Sequence, residues 1–186
     1  LAGSVGYTGA AWLAAEGAVR GGCGLVHLGV PEDIWPVEAV KCTSAMPFPL
    51  AAEDGGLSLR ALEGIREKLA RCDVLALGPG LGRRAETAEL IRRLLSETEK
   101  PAVLDADGIN ALAGHIDILD GRRGRVTVLT PHEGEFARIG DLSGGRVRAA
   151  RDFAVDHGCW LVLKGHRSLT ATPWGTVLEN ATGNCG

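Results

Sequence analysis

The chain has 186 residues, 20 basic against 23 acidic, and a formal net charge of −3. A chain of this length buries roughly 70% of its unfolded surface and folds without staples, so it reads as one domain or most of a larger one. The charge balance argues against bulk attraction to nucleic acid or anionic lipid, and no apolar run is long enough to span a bilayer.

In chain order, LAGS at positions 1–4 reads as the last residues of a strand whose beginning is absent. A helix follows over residues 9–20, rich in Ala10, Ala11, Ala14, Ala15 and Ala18, whose small face allows close packing on a sheet. GLVHLGV (24–30) is a strand-like apolar run. Leu59, Leu62, Ile65 and Leu69 recur at steps of three and four, a helix with Ser58 as its expected N-cap. VLALG (74–78) is the next strand, and Thr87, Leu90, Ile91, Leu94 and Leu95 mark the next helix before Pro101. AVLD (102–105), VTVLT (126–130) and WLVLK (160–164) are further strands of the kind buried on both faces of a parallel sheet. Between the last two, a helix over 145–156 turns Val147, Ala150 and Phe153 or Ala154 inward, and Gly158 ends it. SLTATPWGTVLEN then reads as two short strands around Pro173-Trp174-Gly175. The pattern predicts an α/β fold: a mostly parallel central sheet, helices on both faces, and an antiparallel hairpin at its C-terminal side. Residues 1–186 are expected to form one domain, incomplete at both ends.

Cys23, Cys42, Cys72, Cys159 and Cys185 show no C-x-x-C spacing. With no basic, apolar leader pattern in LAGSVGYTGA, they read as reduced thiols of a cytoplasmic protein, and the same scatter argues against a zinc site. Two disulfides remain open on spacing alone. Glycine is the informative excess: 27 residues, about double the usual share of ~7%, gathered where apolar runs end.

In open α/β sheets ligands bind beyond the carboxyl ends of the strands, so the residues that follow each strand are the candidate site. GSVGYTGA at 3–10 suits either an anion-binding nest at a helix start or a tight strand-to-helix turn. GPGLG at 78–82 fits neither G-x-G-x-x-G nor a P-loop, but its glycines would let a flat ligand lie on backbone. DADGIN carries Asp105, Asp107 and Asn110, which can hold Mg²⁺ through water, orient a hydroxyl, or form a turn that caps the next helix. In TPHEGEF, His132 is expected to face the crevice, while Glu133 and Glu135 suit a helix N-terminus. KGHRS puts a lysine, Lys164, at the end of an apolar strand beside Gly165, where it can neutralise a phosphate.

The ordered set GSVGYTGA, GPGLG, DADGIN, TPHEGE, LKGHRS and ENATGN resembles the ADP/ATP-dependent NAD(P)H-hydrate dehydratases, the carbohydrate-kinase-domain enzymes of the ribokinase-like superfamily. The resemblance covers essentially the whole chain, and MPFPL at 46–50 resembles the family's segment after its second strand. It implies a ribokinase-like fold and a repair reaction: the ring hydroxyl of NADH or NADPH hydrate is phosphorylated by ADP or ATP, with Mg²⁺, and phosphate is then eliminated. It implies hydrate-binding positions at Ala10, Gly80 and His132, with Asp105, Asp107 and Asn110 at the acidic strand end. It implies adenine-nucleotide contacts at Lys164, Gly165, His166, Arg167 and Ser168, with Asn180 and Gly183 in the nucleotide-side turn. It further implies small-molecule substrates, no nucleic-acid or membrane partner, a homo-oligomer (a tetramer in the family), and an epimerase domain, fused or separate. The family continues past TGNCG, whose last residue here is Gly186, into a loop of the pattern A-T-G-G-T-G-D. The aspartate of that loop acts as base. It is expected beyond Gly186, so no catalytic base is assigned within residues 1–186, and the 186-residue chain is expected to be nearly inactive. Cys185 stands where the family commonly has proline, and His166 where a small residue is common. A vitamin-precursor kinase of the same superfamily and a non-catalytic nucleotide-binding module remain alternatives.

Overall fold

The structure, a computed structural model, describes residues 1–182. The chain runs through α1 (Thr8–Arg20), β1 (His27–Pro31), α2 (Trp35–Lys41), β2 (Met46–Leu50), β3 (Ala52–Glu53) and β4 (Gly56–Leu57). A 3-10 turn (Leu59–Ala61), α3 (Leu62–Leu69), β5 (Leu75–Leu77), α4 (Ala85–Glu97) and β6 (Ala102–Leu104) follow. The remainder comprises α5 (Asp107–Asn110), α6 (Asp117–Asp120), β7 (Thr127–Leu129), α7 (Glu133–Phe136), α8 (Arg146–His157), β8 (Trp160–Leu163), β9 (Leu169–Ala171) and β10 (Val177–Glu179).

The six-stranded sheet has the order β10-β9-β8-β7-β6-β5. Its strands β5 to β8 are parallel, while β9 and β10 complete it antiparallel. A parallel pair, β1 and β2, lies beside it. The first residues knit the two together: Ala2 N donates to Gly29 O at 3.3 Å, while Gly78 N donates to Leu1 O at 3.2 Å and Gly3 N to Pro79 O at 2.8 Å. LAGS thus lies between β1 and β5 and bonds to both, although residues 1–4 are not themselves a regular strand.

Period decides which faces are buried. In α4, Thr87, Leu90, Ile91, Leu94 and Leu95 are all buried; each such aliphatic side chain contributes roughly 1.5–3 kcal/mol. Leu90, Ile91, Leu94 and Leu95 join Leu62 and Ile65 of α3, Leu119 of α6 and Phe153 of α8 against Leu77, Leu104, Leu129, Leu161 and Leu163 in one core. The opposite face carries a second cluster, in which Ala11 and Ala15 of α1 and Ile34, just before α2, pack on Leu28 and Val30 of β1. Helices therefore pack on both faces, although Ala76, Val103, Val128 and Val162 point away from the larger core. Those residues are exposed or half-buried.

Three segments depart from the simple patterns. MPFPL is a strand despite two prolines. Met46 N donates to Val26 O, so in parallel register Met46, Phe48 and Leu50 turn their amides to β1. Pro47 and Pro49 then face outward, where a missing N–H costs nothing and blocks further pairing. The short helix α2 begins around Pro36, a tolerated first-turn position. Asp54 (φ 45°) and Gly55 (φ 75°) form the β3–β4 turn, the positive-φ pair that an Asp-Gly hairpin requires.

Two local details differ from expectation. Ser58 does stand at the N-cap position, but its hydroxyl donates to Ala51 O at 3.3 Å, and Glu86 Oε1 accepts the Leu59 amide at 2.7 Å instead. On α8, Ala149, Ala150, Phe153 and Ala154 face inward while Val147 is exposed. Gly158 ends that helix in the left-handed conformation, at φ 62°.

Candidate active site at the carboxyl rim of the sheet

The ends of β6, β7 and β8 bring three polar residues together. Lys164 Nζ lies 2.7 Å from Asp105 Oδ1, and Thr130 Oγ1 donates to the same oxygen at 2.9 Å. Glu135 Oε2 is 4.0 Å from Lys164 Nζ. The parallel ladder continues past β7 and β8 through an isolated bridge between His132 and Lys164, with Lys164 N donating to Pro131 O at 2.7 Å. His132 and Lys164 are thus neighbours on one rim.

His132 is also the N-cap of α7. Its Nδ1 accepts the Glu135 amide at 3.2 Å, and Glu135 Oε2 accepts the His132 amide at 2.9 Å, a reciprocal capping box. An accepting Nδ1 places the neutral ring's proton on Nε2, which is 3.4 Å from Glu135 Oε1. The ring remains 57% exposed, so the cap leaves its outer face open to a ligand. Glu133 and Glu135 sit in the first turn of α7, as helix-dipole chemistry suggests.

Asp105 and Asp107 diverge because Ala106 between them adopts φ 49°, ψ −117°, a strained conformation for a non-glycine residue. Asp107 Oδ2 accepts the Gly82 amide at 2.9 Å, and its Oδ1 accepts Asn110 Nδ2 at 3.1 Å. Asn110 Oδ1 accepts Arg138 Nη1 at 2.8 Å. A Cβ on Gly78 (φ 131°) would collide with the Asp105 carbonyl; that glycine serves loop-to-loop packing rather than a ligand. Gly80 abuts α1, since a Cβ there would come within 2.8 Å of the Ala10 Cβ. Ser4 Oγ donates to Gly80 O at 2.7 Å. Ala10 and Gly80 therefore meet directly, and the Gly82–Asp107 bond links their loop to the acidic strand end.

The Lys164–Ser168 segment leaves β8 as an exposed loop. Arg167 has φ 59°, and its Nε pairs with Glu179 Oε1 on β10 at 2.9 Å. Ser168 O accepts the Asn180 amide at 2.9 Å, while the Asn180 side chain accepts from Thr182 Oγ1 at 2.8 Å. Asn180 and the loop are therefore adjacent. Gly183, Cys185 and Gly186 lie outside the described residues. The nucleotide-side role expected of Gly183, and the aspartate expected beyond Gly186, thus have no counterpart in the described site.

Sequence reasoning did not single out Thr130, Ser4 or Arg146 as site residues. Thr130 follows a strand with a hydroxyl facing the Asp105 side, a signal available in VTVLT-P. Arg146 is a long-range partner, and nothing near it in the chain announces its role. Two depressions lie elsewhere: one of about 340 Å³ beside Arg66, Leu94 and Lys100, the other of about 400 Å³ between Phe136, Gly140, Ala149 and Phe153. Among the described residues, no group of three or more His, Cys, Asp or Glu could hold a metal ion, and no helix is long and apolar enough to cross a membrane.

A mixed sheet with this order, and with its polar residues gathered at the carboxyl rim, has the ribokinase-like fold. A ribokinase-like superfamily protein of Enterococcus faecalis superposes with a TM-score of 0.78 at 20% identity, over 96% of this chain and 60% of that one. The family is narrower. Residues 1–186 match the carbohydrate-kinase family model described as NAD(P)H-hydrate dehydratase, and the chain belongs to that family. It is similar to the bifunctional NAD(P)H-hydrate repair enzyme Nnr of Moorella thermoacetica, at 42% identity over 100% of this chain and 36% of the relative. It is 34% identical to the ADP-dependent (S)-NAD(P)H-hydrate dehydratase of Neisseria meningitidis, over 100% of this chain and 61% of the relative. The crystal structure of ADP/ATP-dependent NAD(P)H-hydrate dehydratase from Bacillus subtilis, co-crystallized with ATP/Mg²⁺, matches with a TM-score of 0.72 at 27% identity, over 99% of this chain and 63% of that one. The chain thus spans about a third of the bifunctional relative and less than two thirds of the other two.

Proposed function

We propose that this chain supplies the nucleotide-dependent dehydration of NAD(P)H hydrate, restoring NADH or NADPH. The observation that carries the reading is the Lys164–Asp105 pair at 2.7 Å, with His132 beside it across the β7–β8 bridge. A cation and an imidazole on one rim suit a phosphate donor and a hydroxylated ring that must meet.

The chemistry divides between the two substrates. Hydroxide is a poor leaving group. Transfer of the terminal phosphoryl group from ADP or ATP to the ring hydroxyl forms one P–O bond and breaks another, leaving a phosphate ester. The ring nitrogen's lone pair then expels phosphate as the C–O bond breaks, and an adjacent ring carbon gives up a proton. Catalysis of this kind is mostly positioning and charge stabilisation. Ala10, Gly80 and His132 are assigned to the hydrate, with Asp105, Asp107 and Asn110 as the acidic wall of its pocket. Lys164, Gly165, His166, Arg167 and Ser168, with Asn180 and Gly183, are assigned to the nucleotide.

Asp107 already satisfies the Gly82 amide and Asn110, so its role is to hold the loop that carries Gly80. Asp105 is the counter-ion that orients Lys164. The carboxylates do not form a protein cage for a resident ion; Mg²⁺ fits this rim as the companion of the nucleotide's phosphates, in keeping with its reluctance to dehydrate. No general base is assigned among residues 1–186. A homotetramer in the cytoplasm, with an epimerase activity fused or separate, completes the reading.

The test is to mix the whole protein with NADH hydrate and ADP and to follow NADH absorbance with AMP and phosphate. Stoichiometric NADH, AMP and phosphate support the reading. A protein that leaves the hydrate untouched and consumes nucleotide with a hydroxylated vitamin precursor is a small-molecule kinase instead.

A further inference from the structure

The Lys164–Ser168 loop is held in an unfavourable shape. Gly165 has φ 151° and Arg167 has φ 59°, and a non-glycine residue at positive φ persists only where its surroundings over-determine it. On the β10 side, Glu179 fixes Arg167. On the other side stands Arg146, the first residue of α8. Its Nη1 donates to the His166 carbonyl at 2.8 Å, and its Nε is 2.8 Å from Glu133 Oε1 on α7. Its Nη2 lies so close under Gly165 that a Cβ there would come within 3.0 Å.

Two features show that Arg146 is not an ordinary surface arginine. The first turn of α8 contains no acidic residue, and a cation at a helix N-terminus opposes the macrodipole. Its Nε and Nη2 are enclosed: Nε has Glu133 Oε1 at 2.8 Å out of line, and Nη2 has no acceptor, which makes the position costly for a buried donor. The pair with Glu133, whose carboxylate side chain is 53% exposed, returns little against that cost. Local stability does not account for an arginine here, whereas the contact with the loop does.

We infer that Arg146 is a positioning residue for the nucleotide: it clamps the Lys164–Ser168 loop to α7 and α8, so that Lys164 and the Gly165 backbone stand ready for the donor's phosphates. This rests on the reading of that loop as the nucleotide site. Arginine suits the task because its planar fork reaches a carbonyl on one side and a carboxylate on the other, which lysine cannot do.

The experiment compares wild type, Arg146→Met, Arg146→Lys and Glu133→Gln in the whole protein. It measures KM for ADP, KM for NADH hydrate and kcat, together with ADP affinity by calorimetry and the melting temperature. Arg146→Met is expected to raise KM and Kd for ADP by about tenfold or more, with kcat within about threefold and hydrate KM unchanged. Arg146→Lys falls between, and Glu133→Gln shifts ADP affinity in the same direction by less. An Arg146→Met protein with wild-type ADP affinity overturns the inference, as does one whose two KM values rise in parallel with a lost melting temperature. If Arg146→Met fails to fold, the graded ADP shifts of Arg146→Lys and Glu133→Gln decide. A wild type that binds ADP but leaves the hydrate unchanged overturns the proposed reaction alone; the calorimetry then still tests Arg146. A wild type that binds neither ADP nor ATP overturns both.

Discussion

Lys164, which follows β8, is tied to Asp105, which follows β6 two strands away, and Thr130, just after the strand between, donates to the same carboxylate oxygen. The arrangement exists because β6, β7 and β8 run parallel with Leu104, Leu129 and Leu161 in register, and β8 continues past that level to bring Lys164 beside His132. The side chains are 41% and 34% exposed, so the pair contributes at most about 1 kcal/mol to folding. Its value lies in fixing the direction of the ammonium group.

Lys164→Met is accordingly expected to lower kcat/KM for ADP about 100-fold or more while shifting stability by less than about 1 kcal/mol. Asp105→Asn, which frees the lysine without removing it, should cost less. Steady-state kinetics with chemical denaturation separate the two effects, and a large stability loss with unchanged kinetics would assign the pair to the fold.

His132 combines a cap with an open ring face. His132→Ala is expected to lose about 1 kcal/mol of stability. His132→Asn, whose side chain also caps, should restore stability but not hydrate affinity. Recovery of both in the asparagine variant would reduce His132 to a cap.

How much of this was legible in the sequence varies by element. The strands β1 and β5 to β8 stand out because each is an unbroken apolar run, and α1, α3, α4 and α8 because their small or apolar residues recur at helical steps. The hairpin was legible from Pro173-Trp174-Gly175. The strand β2 was hidden because its prolines mimic a loop; only the register shows that they face away from β1. The short helix α2 was hidden by its seven-residue length, and β3–β4 by brevity, although Asp54-Gly55 was a readable turn signal. At the site, the motif residues were legible as types at strand ends. Their partnerships were not, because Lys164–Asp105 spans 59 residues and Arg146–His166 spans 20. The GPGLG motif suggested a ligand platform, whereas Gly78 is required by the approach of the Asp105 loop.

Gly78→Ala should therefore destabilise by about 3 kcal/mol or more, through both the collision and the positive φ. Thermal or urea unfolding checks this, and a near-neutral alanine would mean that the two loops are not in contact.

Arg122 is the largest fully buried side chain. Its guanidinium donates to Leu95 O, Thr98 O and Lys100 O at 2.7–2.9 Å and to Thr127 Oγ1 at 3.0 Å, closing the C-terminal end of α4. Burial, and then the charge of Arg125, pull its pKa below the usual arginine value. Arg122→Met strands these carbonyls and is expected to cost about 3 kcal/mol or more, with KM values unchanged at temperatures where the variant is folded. A drop in melting temperature with intact kinetics supports this role, and an unchanged melting temperature contradicts it.

The thiols should separate by burial. Cys23 is exposed and Cys159 buried, and burial pushes Cys159 up to about 12 from 9.0. A pKa raised in the folded state favours folding at pH below the unfolded value, and that contribution is lost as pH rises from about 9 towards about 12. Native protein should therefore expose Cys23 to a thiol reagent at once and Cys159 only on unfolding, with stability falling across that alkaline range. Rapid native labelling of Cys159 would contradict the packing beneath α8.

The central claim is that two ligands share one rim. A structure of the whole protein with AMP and NADPH tests it most directly. The account predicts AMP phosphate oxygens within hydrogen-bond reach of Lys164 and the Gly165 backbone, with the nicotinamide lying between His132 and Gly80. Ligands seated at separated surfaces, or a nicotinamide remote from His132, would contradict it.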